Sequence, residues 1–181
     1  MSVLLETERL ILRPPRAADI GRFVPLMADY EVAKNLSRVP HPYTEDDASA
    51  YIVKAAAGWA SGEDFGFSIL RKFDSAYVGM CGVHPSRGGE LGYWIGRPFW
   101  GKGFATEAVG RAVAFAFREL EVEGLRAAWF HDNPASGRVL RKLGFAREGM
   151  EDRPCLARGR SIPSHLVALD RATYITRKMA A

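Results

Sequence analysis

The sequence predicts a single mixed α+β domain spanning residues 1–181, with a twisted mixed sheet of about six to seven strands and flanking helices. Three observations lead to this prediction. The chain has 181 residues and 48% apolar content, which suits one sizeable core and is too little for two. Its middle contains paired strand patterns joined by a tight turn. Its second half alternates strand patterns with amphipathic helix patterns.

The first third of the chain predicts one strand and two helices. Residues 9–12 have the strand pattern, and a helix opens near Asp19. The apolar face of that helix consists of Ile20, Phe23, Val24 and Met27. After a proline-rich loop, Thr44 has the position of a helix N-cap, and Asp47 stands three residues later, as in a capping box. We expect the second helix to begin there.

Residues 65–83 predict an antiparallel hairpin. Two strand patterns, 65–72 and 76–83, flank the turn-forming segment 73–75. A third strand is predicted from Glu90 to Gly96, where large aromatic side chains stand beside glycines. This composition indicates a distorted backbone that another group approaches closely.

The second half of the chain predicts helices alternating with strands. Its clearest helix follows residue 103, with apolar residues recurring at spacings of three and four. Residues 125–130 are almost entirely apolar and predict a central strand. Asn133 and Pro134 suit an N-cap and a first helical position, and Gly144 suits a left-handed helix end. Two further strand patterns follow, at residues 145–149 and 164–170.

Charge and composition limit the classes of function. The net charge is +4, and residues 141–181 hold nine Lys or Arg against four Asp or Glu. This excess suits an anionic ligand or partner, or is simply a solvated basic surface. We find no direct nucleic-acid motif, no secretion signal and no apolar run long enough for a membrane span, and we expect a cytoplasmic protein. The cysteines and histidines lack metal-ligand spacing, so we predict no metal site.

The segment GRPFWGKGFATEA, residues 96–108, joins the third predicted strand to the clearest helix. Its glycines at a helix N-terminus leave a run of backbone amides for an anion. The spacing also fits GxxxxGK, but Gly103 stands where a nucleoside-triphosphate loop needs Ser or Thr for magnesium. The preceding strand also belongs to an antiparallel region, unlike that loop. We therefore expect a pyrophosphate site without a metal; an ordinary strand-to-helix turn is the alternative.

Two stretches, ELGYWIGRPFWGKGFATEA and HDNPASGRVLRKLGFAREG, resemble the acyl-coenzyme A site of the GNAT superfamily of N-acyltransferases, in its RimJ/RimL-type branch. The opening TERLILRPPRAAD, the PHPYTEDDA loop and the LARGR stretch are also similar to that branch. One residue departs from the superfamily's loop pattern: Trp100 stands where Gln or Arg is usual. We interpret this aromatic as a marker of the branch, because the amides of the loop remain.

The resemblance implies a set of coenzyme contacts. Acetyl-CoA is the expected co-substrate, and its pantetheine arm pairs with the backbone of Tyr93, Trp94 and Ile95. In such enzymes this strand and its neighbour part to admit the substrate. The pyrophosphate lies against the loop and the first helical turn. That segment comprises Gly101, Lys102, Gly103, Phe104, Ala105 and Thr106. Asn133 contacts the coenzyme in addition to its capping role. Arg138 is our choice for a phosphate contact, with Lys102 as a second.

The resemblance also implies catalytic candidates. From the helix pattern alone, a bond from Ser136 back to a helical carbonyl, or help to the cap, is the favoured explanation of this serine. The resemblance reverses that preference, because such enzymes place a serine here near the coenzyme sulfur, where it helps the departing thiolate. Glu90 is the candidate general base, acting through water, or else a plain surface residue of its strand. A nucleophilic Cys81 or Cys155 is rejected, since direct transfer requires no covalent enzyme intermediate.

The expected activity is transfer of an acetyl group from acetyl-CoA directly to a primary amine, with a protein N-terminal α-amino group as the first choice. A small-molecule amine, such as an aminoglycoside, an amino acid or a polyamine, is the alternative within the same class. A non-catalytic acyl-CoA-binding module and a metal-dependent ATP or GTP enzyme are rivals from other classes. A monomer and a homodimer both remain open.

Overall fold

A computed structural model describes residues 3–179 and places eight strands in one mixed sheet, in the order β1-β2-β3-β4-β5-β6-β8-β7. The strands are β1 (Leu5–Glu6), β2 (Leu10–Arg13), β3 (Phe65–Arg71), β4 (Tyr77–His84), β5 (Glu90–Ile95), β6 (Gly124–Phe130), β7 (Ala146–Cys155) and β8 (Arg160–Asp170). The helices are α1 (Ile20–Met27), α2 (Tyr30–Ala33), α3 (Glu45–Ser61), α4 (Phe104–Arg118), α5 (Pro134–Lys142) and α6 (Arg171–Met179). The mixed α+β class is confirmed, and the two-residue β1 is the strand beyond the expected number.

The helices begin and end at the capping residues that the sequence predicts. Thr44 accepts a hydrogen bond from the Asp47 amide, and the Asp47 side chain accepts one from the Thr44 amide, which completes the capping box of α3. Asn133 caps α5 by accepting from the amide of Ser136. Gly144, just after α5, has a φ of +98°, in the left-handed region that glycine adopts without steric cost.

The sheet has a core on each face. Because side chains alternate along a strand, Leu91 and Ile95 of β5 join the core beneath α4, whereas Trp94 joins the core beneath α1. The first core also receives Leu140 from α5. The second receives Ala48 from α3. The two sides of β5 therefore face different helices, and a ligand can meet different chemistry on each.

The sheet opens between β5 and β6. These are its parallel neighbours, and within residues 3–179 they share a single register pair, Glu90 with Arg126. At this point the Arg126 amide donates to the Gly89 carbonyl at 3.0 Å. A Cβ on Gly89 would lie 2.5 Å from the carbonyl oxygen of Gly124, so glycine is what allows this close approach. Beyond this contact the two strands are no longer paired, and because they run parallel, their carboxyl ends lie at the same edge of the sheet.

Both cysteines are buried free thiols. Burial raises the pKa of Cys81 to about 12, so this side chain stays a neutral thiol at physiological pH. In the part of the chain that the structure describes, no group of three or more His, Cys, Asp or Glu side chains is placed to hold a metal ion. The helices of residues 3–179 include none that is long and apolar enough to cross a membrane.

Candidate functional site: an uncapped helix beside the open strands

The loop after β5 presents free backbone amides. Gly101 and Gly103 have φ values of +73° and +81°, a region that favours glycine. Gly103 is the N-cap of α4, and no side chain caps the first turn of that helix. The amides there are thus open to an outside acceptor at the positive end of the helix dipole. This is the arrangement that an anion such as a pyrophosphate requires.

Trp100 fastens the loop to the end of β5. Its indole Nε1 donates to the carbonyl oxygen of Ile95 at 2.7 Å. The side chain of Lys102 folds back onto the same loop, because its Nζ donates to the carbonyl oxygen of Pro98 at 2.8 Å. The residue that departs from the usual loop pattern therefore has a structural role, and it leaves the amides of the next residues free.

The start of the chain holds the loop from outside, which the sequence reasoning missed. Arg9 Nη1 donates to the Lys102 carbonyl at 3.0 Å, and Arg9 Nε donates to Glu107 Oε2 at 2.7 Å. Thr7 Oγ1 donates to Glu107 Oε1 at 2.6 Å. Burial tends to raise the pKa of Glu107, but the hydrogen bonds from Thr7 and Arg9 outweigh it and keep this pKa below its usual value. Glu107 is thus an ionised anchor on the first turn of α4.

The free edge of β5 exposes the backbone of Tyr93. In an antiparallel pair, successive residues turn their backbone groups alternately toward and away from the partner strand. The Gly96 amide donates to the Val78 carbonyl beside β4, which places the backbone groups of Trp94 toward β4 as well. Those of Tyr93 and Ile95 then point into the opening, and the Ile95 carbonyl is already bonded to Trp100. Of the three expected backbone contacts, Tyr93 is the residue best placed to bind a ligand there.

Ser136 and Tyr93 meet across the opening. The two hydroxyl oxygens are 2.7 Å apart, and Tyr93 Oη also lies 3.1 Å from the Ser136 carbonyl oxygen. Within residues 3–179, Ser136 Oγ makes no bond back to a helical carbonyl, so that explanation of the serine does not hold here. The Ser136 amide donates to Asn133 Oδ1 at 3.3 Å. The cap of α5 and the serine are therefore parts of one short segment at the end of β6.

Close packing sets the position of α5. A Cβ on Gly137 would lie 2.7 Å from the indole ring of Trp129 in β6, so the helix backbone rests directly on this side chain. The indole in turn stacks on His165 of β8, with ring centroids 4.9 Å apart. The sequence contains no local signal for this contact, since its pattern places Trp129 only in a central strand. The contact between Gly137 and Trp129 fixes the distance of Ser136 from the sheet.

Glu90 lies on the other face of β5, among arginines. Arg38 Nη2 donates to Oε2 at 2.8 Å, and Arg153 Nη2 donates to Oε1 at 3.0 Å. Arg87 adds a longer ion pair at 3.7 Å. Burial tends to raise the pKa of Glu90, but Arg38 and then Arg153 outweigh it, and this pKa lies below its usual value. The carboxylate is therefore a weak proton acceptor, which a general base should not be.

The remaining predicted contact, Arg138, is exposed on the outer side of α5. It lies two residues beyond Ser136 and five beyond Asn133. The structure thus gathers the predicted residues in two groups. Tyr93, Asn133 and Ser136 line the opening, Arg138 follows them on α5, and the loop from Gly101 to Thr106 stands at the end of β5. Glu90 is separated from both by the thickness of the sheet.

Comparisons with known proteins agree with this geometry. The family described as an acetyltransferase (GNAT) domain matches residues 9–146. The protein named uncharacterized N-acetyltransferase p20, from Bacillus licheniformis, is 30% identical over 175 residues, which cover 94% of this chain and 97% of the relative. An Escherichia coli (strain K12) protein named ribosomal protein uS5-alanine N-acetyltransferase is 26% identical over 163 residues, covering 81% of this chain and 80% of its own. Mycobacterium smegmatis RimJ, solved in complex with CoA-disulfide, shares the fold with a TM-score of 0.81 at 21% identity, over 99% of this chain and 93% of that one. Since the family match spans most of the chain, the protein belongs to the GNAT family and is an N-acetyltransferase.

Proposed function

We propose that the protein transfers an acetyl group from acetyl-CoA directly to the α-amino group of a protein N-terminus. The observation that carries this proposal is the unpaired backbone edge of Tyr93, which lies between the uncapped start of α4 and the hydroxyl of Ser136. The name of the Escherichia coli relative, a ribosomal-protein alanine N-acetyltransferase, supports the choice of acceptor. Protein N-termini and acetyl-CoA meet in the cytoplasm, so the proposal places the protein there.

The chain's own residues fit the coenzyme. The amides of residues 101–106 donate to the pyrophosphate, because glycine at positions 101 and 103 leaves the approach to them clear. Arg138 is exposed and reaches outward for a phosphate, and Lys102 can do the same once it leaves the Pro98 carbonyl. Asn133 lies at the end of β6, where its side chain borders the opening. No magnesium ligand is needed for binding of this kind.

The bound coenzyme supplies a thioester, whose carbonyl carbon is the electrophile that the amine nitrogen attacks. The new bond joins the amine nitrogen to that carbon, the C–S bond breaks, and the sulfur ends with a proton that the amine has lost. The backbone N–H of Tyr93 faces the opening and can donate to the carbonyl oxygen as charge develops there. Ser136 donates its hydroxyl proton toward the sulfur. A free thiol has a pKa of about 8.5, so such help matters most while the thiolate leaves.

The weakness of Glu90 as a base favours an acceptor that needs little help. An α-amino group has a pKa of about 8, whereas a lysine-like amine has one of about 10.4, so near pH 7 about a tenth of the first and less than about a thousandth of the second is neutral. The arginines beside Glu90 lower its pKa and oppose proton capture by it. If Glu90 does serve as the base, it acts through water with Arg38 displaced. An N-terminal amine is therefore the acceptor that this site suits best.

A screen of acceptors tests the proposal. Acetyl-CoA is incubated with peptides bearing free N-termini, with the same peptides blocked at the N-terminus but carrying lysine, and with aminoglycosides, amino acids and polyamines. We expect acetylation of the free N-termini, seen as a gain of one acetyl group in mass and as release of thiol. Transfer only to a small amine would overturn the choice of acceptor. Binding of CoA without transfer to any amine would overturn the catalytic proposal.

The role of Ser136 has its own test. Ser136→Ala should lower kcat by about 10-fold to 100-fold, because a donor to the leaving sulfur is lost. The Kd for acetyl-CoA, measured by calorimetry, should stay within about two-fold, since the pyrophosphate amides are untouched. Ser49→Ala, on the exposed side of α3, is the matched control and should leave both values unchanged. An unchanged kcat in Ser136→Ala would remove this serine from the mechanism.

A further inference from the structure

We propose that the hydroxyl of Tyr93 is a positioning residue, which directs the proton of Ser136 toward the leaving sulfur. The inference rests on the role proposed for Ser136 and goes beyond it, since the family resemblance gave Tyr93 only a backbone contact. Its basis is the pair of hydroxyl groups 2.7 Å apart that joins β5 to α5 across the opening. The two side chains come from residues 43 positions apart in the chain.

The donors and acceptors of Tyr93 and Ser136 allow two hydrogen-bonding arrangements. Tyr93 has one proton, and it can donate to Ser136 Oγ at 2.7 Å or to the Ser136 carbonyl oxygen at 3.1 Å. In the first arrangement the serine accepts from Tyr93, and its own proton is free for another acceptor. In the second the serine donates to Tyr93, and no proton faces the opening. Within residues 3–179, Ser136 Oγ has no bond except the one to Tyr93, so no other contact decides between the two.

Negative charge on the departing sulfur selects the first arrangement. The sulfur attracts the serine proton, and Ser136 Oγ becomes a better donor when it accepts a bond from Tyr93, because hydrogen bonds in series polarise one another. Burial raises the pKa of Tyr93 to about 12, so the phenol remains a protonated donor over the range of an ordinary assay. Tyr93 keeps its proton throughout the reaction. It acts on the sulfur only through the serine.

The surroundings hold both members of the pair in place. The Tyr93 ring packs against the core beneath α4, and it is half-buried. Ser136 is fixed by the cap at Asn133 and by the contact of Gly137 with Trp129. Neither hydroxyl oxygen needs to move for the hydrogen bonds to change direction, because rotation about the two C–O bonds moves only the hydrogen atoms. Such a pre-set geometry is what a donor to a developing charge requires.

The test compares Tyr93→Phe, Ser136→Ala and the double variant. Tyr93→Phe should lower kcat by about 2-fold to 10-fold, which corresponds to one neutral hydrogen bond. The KM for the amine and the Kd for acetyl-CoA should both stay within about two-fold, because phenylalanine keeps the packing and the backbone edge. In the Ser136→Ala background the tyrosine substitution should have no further effect on kcat, since Tyr93 acts only through the serine.

A second tyrosine–serine pair provides the matched control. Tyr77 Oη lies 2.9 Å from Ser68 Oγ on the opposite face of the sheet, and both residues are buried. Tyr77→Phe removes the same kind of bond and should leave kcat unchanged. Equal losses of kcat in Tyr77→Phe and Tyr93→Phe would overturn the inference, because they would indicate a general loosening of the sheet. So would independent losses that multiply in the Tyr93→Phe, Ser136→Ala double variant.

The outcomes separate this inference from the proposed role of the serine. If Ser136→Ala leaves kcat unchanged, the serine has no role at the sulfur and the positioning by Tyr93 falls with it. If Ser136→Ala is slow and Tyr93→Phe is as fast as the parent protein, the inference about Tyr93 alone is wrong. A slow Tyr93→Phe that adds nothing to Ser136→Ala supports both.

Discussion

Trp100 shows how a single residue can depart from a family's pattern without loss of the site. A glutamine or arginine at this position would bring a polar side chain to the loop, and Trp100 brings an indole N–H instead. That N–H donates to the Ile95 carbonyl, which otherwise faces the opening between β5 and β6. The loop is thereby tied to its own strand, and the amides from Gly101 onward stay free for a ligand.

Gly103 is the residue on which the proposed pyrophosphate site depends most. Gly103→Val places a β-branched side chain at a φ of +81°, with its Cβ 3.3 Å from Arg9 Nη2, and covers the amides at the start of α4. We expect the affinity for acetyl-CoA to fall by at least about 10-fold, a loss of about 1.4 kcal/mol or more in calorimetry. The unfolding midpoint reports any separate effect on stability.

Gly62→Val is the control that separates the effect of backbone strain from an effect on the proposed pyrophosphate site. Gly62 ends α3 with a φ of +73°, and a Cβ there meets nothing within 4 Å. This variant should carry a similar cost in stability, about 1–2 kcal/mol, and bind acetyl-CoA normally. If Gly103→Val binds as tightly as Gly62→Val, the pyrophosphate does not lie at the start of α4.

At the scale of the elements, the sequence predicted what is local and missed what is not. The caps at Thr44 and Asn133 and the hairpin of β3 and β4 follow from residues a few positions apart, and all are confirmed. The parting of β5 from β6 depends on how two strands are arranged whose paired residues, Glu90 and Arg126, stand 36 positions apart. Alternation within either strand does not encode this arrangement. The resemblance to the GNAT superfamily supplied it, and residue spacing did not.

The same reasoning explains why part of the site was missed. Glu90 looked like a free carboxylate because its partners, Arg38 and Arg153, lie 52 and 63 positions away. Arg9 reaches the loop from 93 positions away. An ion pair of this kind leaves no trace in a single sequence, since many charged residues occur and only the fold selects which of them meet. The pair of Tyr93 and Ser136 belongs to this class too.

The attachment of α1 to the sheet gives a prediction for stability and pH. Asp19, just before α1, is buried and accepts from both Arg13 Nη1 and Nη2, at 2.8 and 2.7 Å. Burial tends to raise the pKa of Asp19, but the bonds from Arg13 and from the Arg16 amide outweigh it, so this pKa lies below its usual value. Asp19→Asn should lower the free energy of unfolding at neutral pH by about 3 kcal/mol, because Arg13 then loses a buried partner.

The pH dependence of the free energy of unfolding shows whether charge or packing causes the loss of stability in Asp19→Asn. A group whose pKa is lowered on folding contributes stability above its unfolded pKa of about 3.9, and this contribution is lost as the pH falls through the folded value. In urea titrations the gap between the parent protein and Asp19→Asn should therefore be full near pH 7 and shrink below about pH 4. A gap that stays constant at low pH would point to packing instead of charge. Asp152→Asn, an exposed residue of β7, should change stability by less than about 0.5 kcal/mol.

At the scale of the whole molecule, the two faces of the sheet offer different surfaces to the two substrates that the proposed reaction requires. The uncapped start of α4, Tyr93 and Ser136 lie on or beside the face covered by α4 and α5. On the other face, Gly66, Gly82 and Gly92 stand side by side across β3, β4 and β5. Tyr51 and His84 already reach over the first two, at 2.9 and 3.0 Å from where a Cβ would be. Gly92, at the edge of the opening, is exposed, and a Cβ there would meet nothing within 4 Å.

The free space beside Gly92 gives a prediction about where the amine approaches. Gly92→Val adds two methyl groups on the face of β5 that carries Glu90 and Trp94, and the added Cβ has no neighbour to displace. If the amine crosses the opening from this side, kcat/KM for the acceptor peptide should fall by at least about 10-fold. The Kd for acetyl-CoA should stay within about two-fold, because the backbone of Tyr93 and the loop on the other side are unchanged. Gly149→Val, in β7 and also without a neighbour within 4 Å, controls for the placement of valine in a strand. A variant Gly92→Val that loses affinity for acetyl-CoA and keeps its KM for the peptide would reverse the assignment of the two faces, since it would put the coenzyme on the side of Glu90.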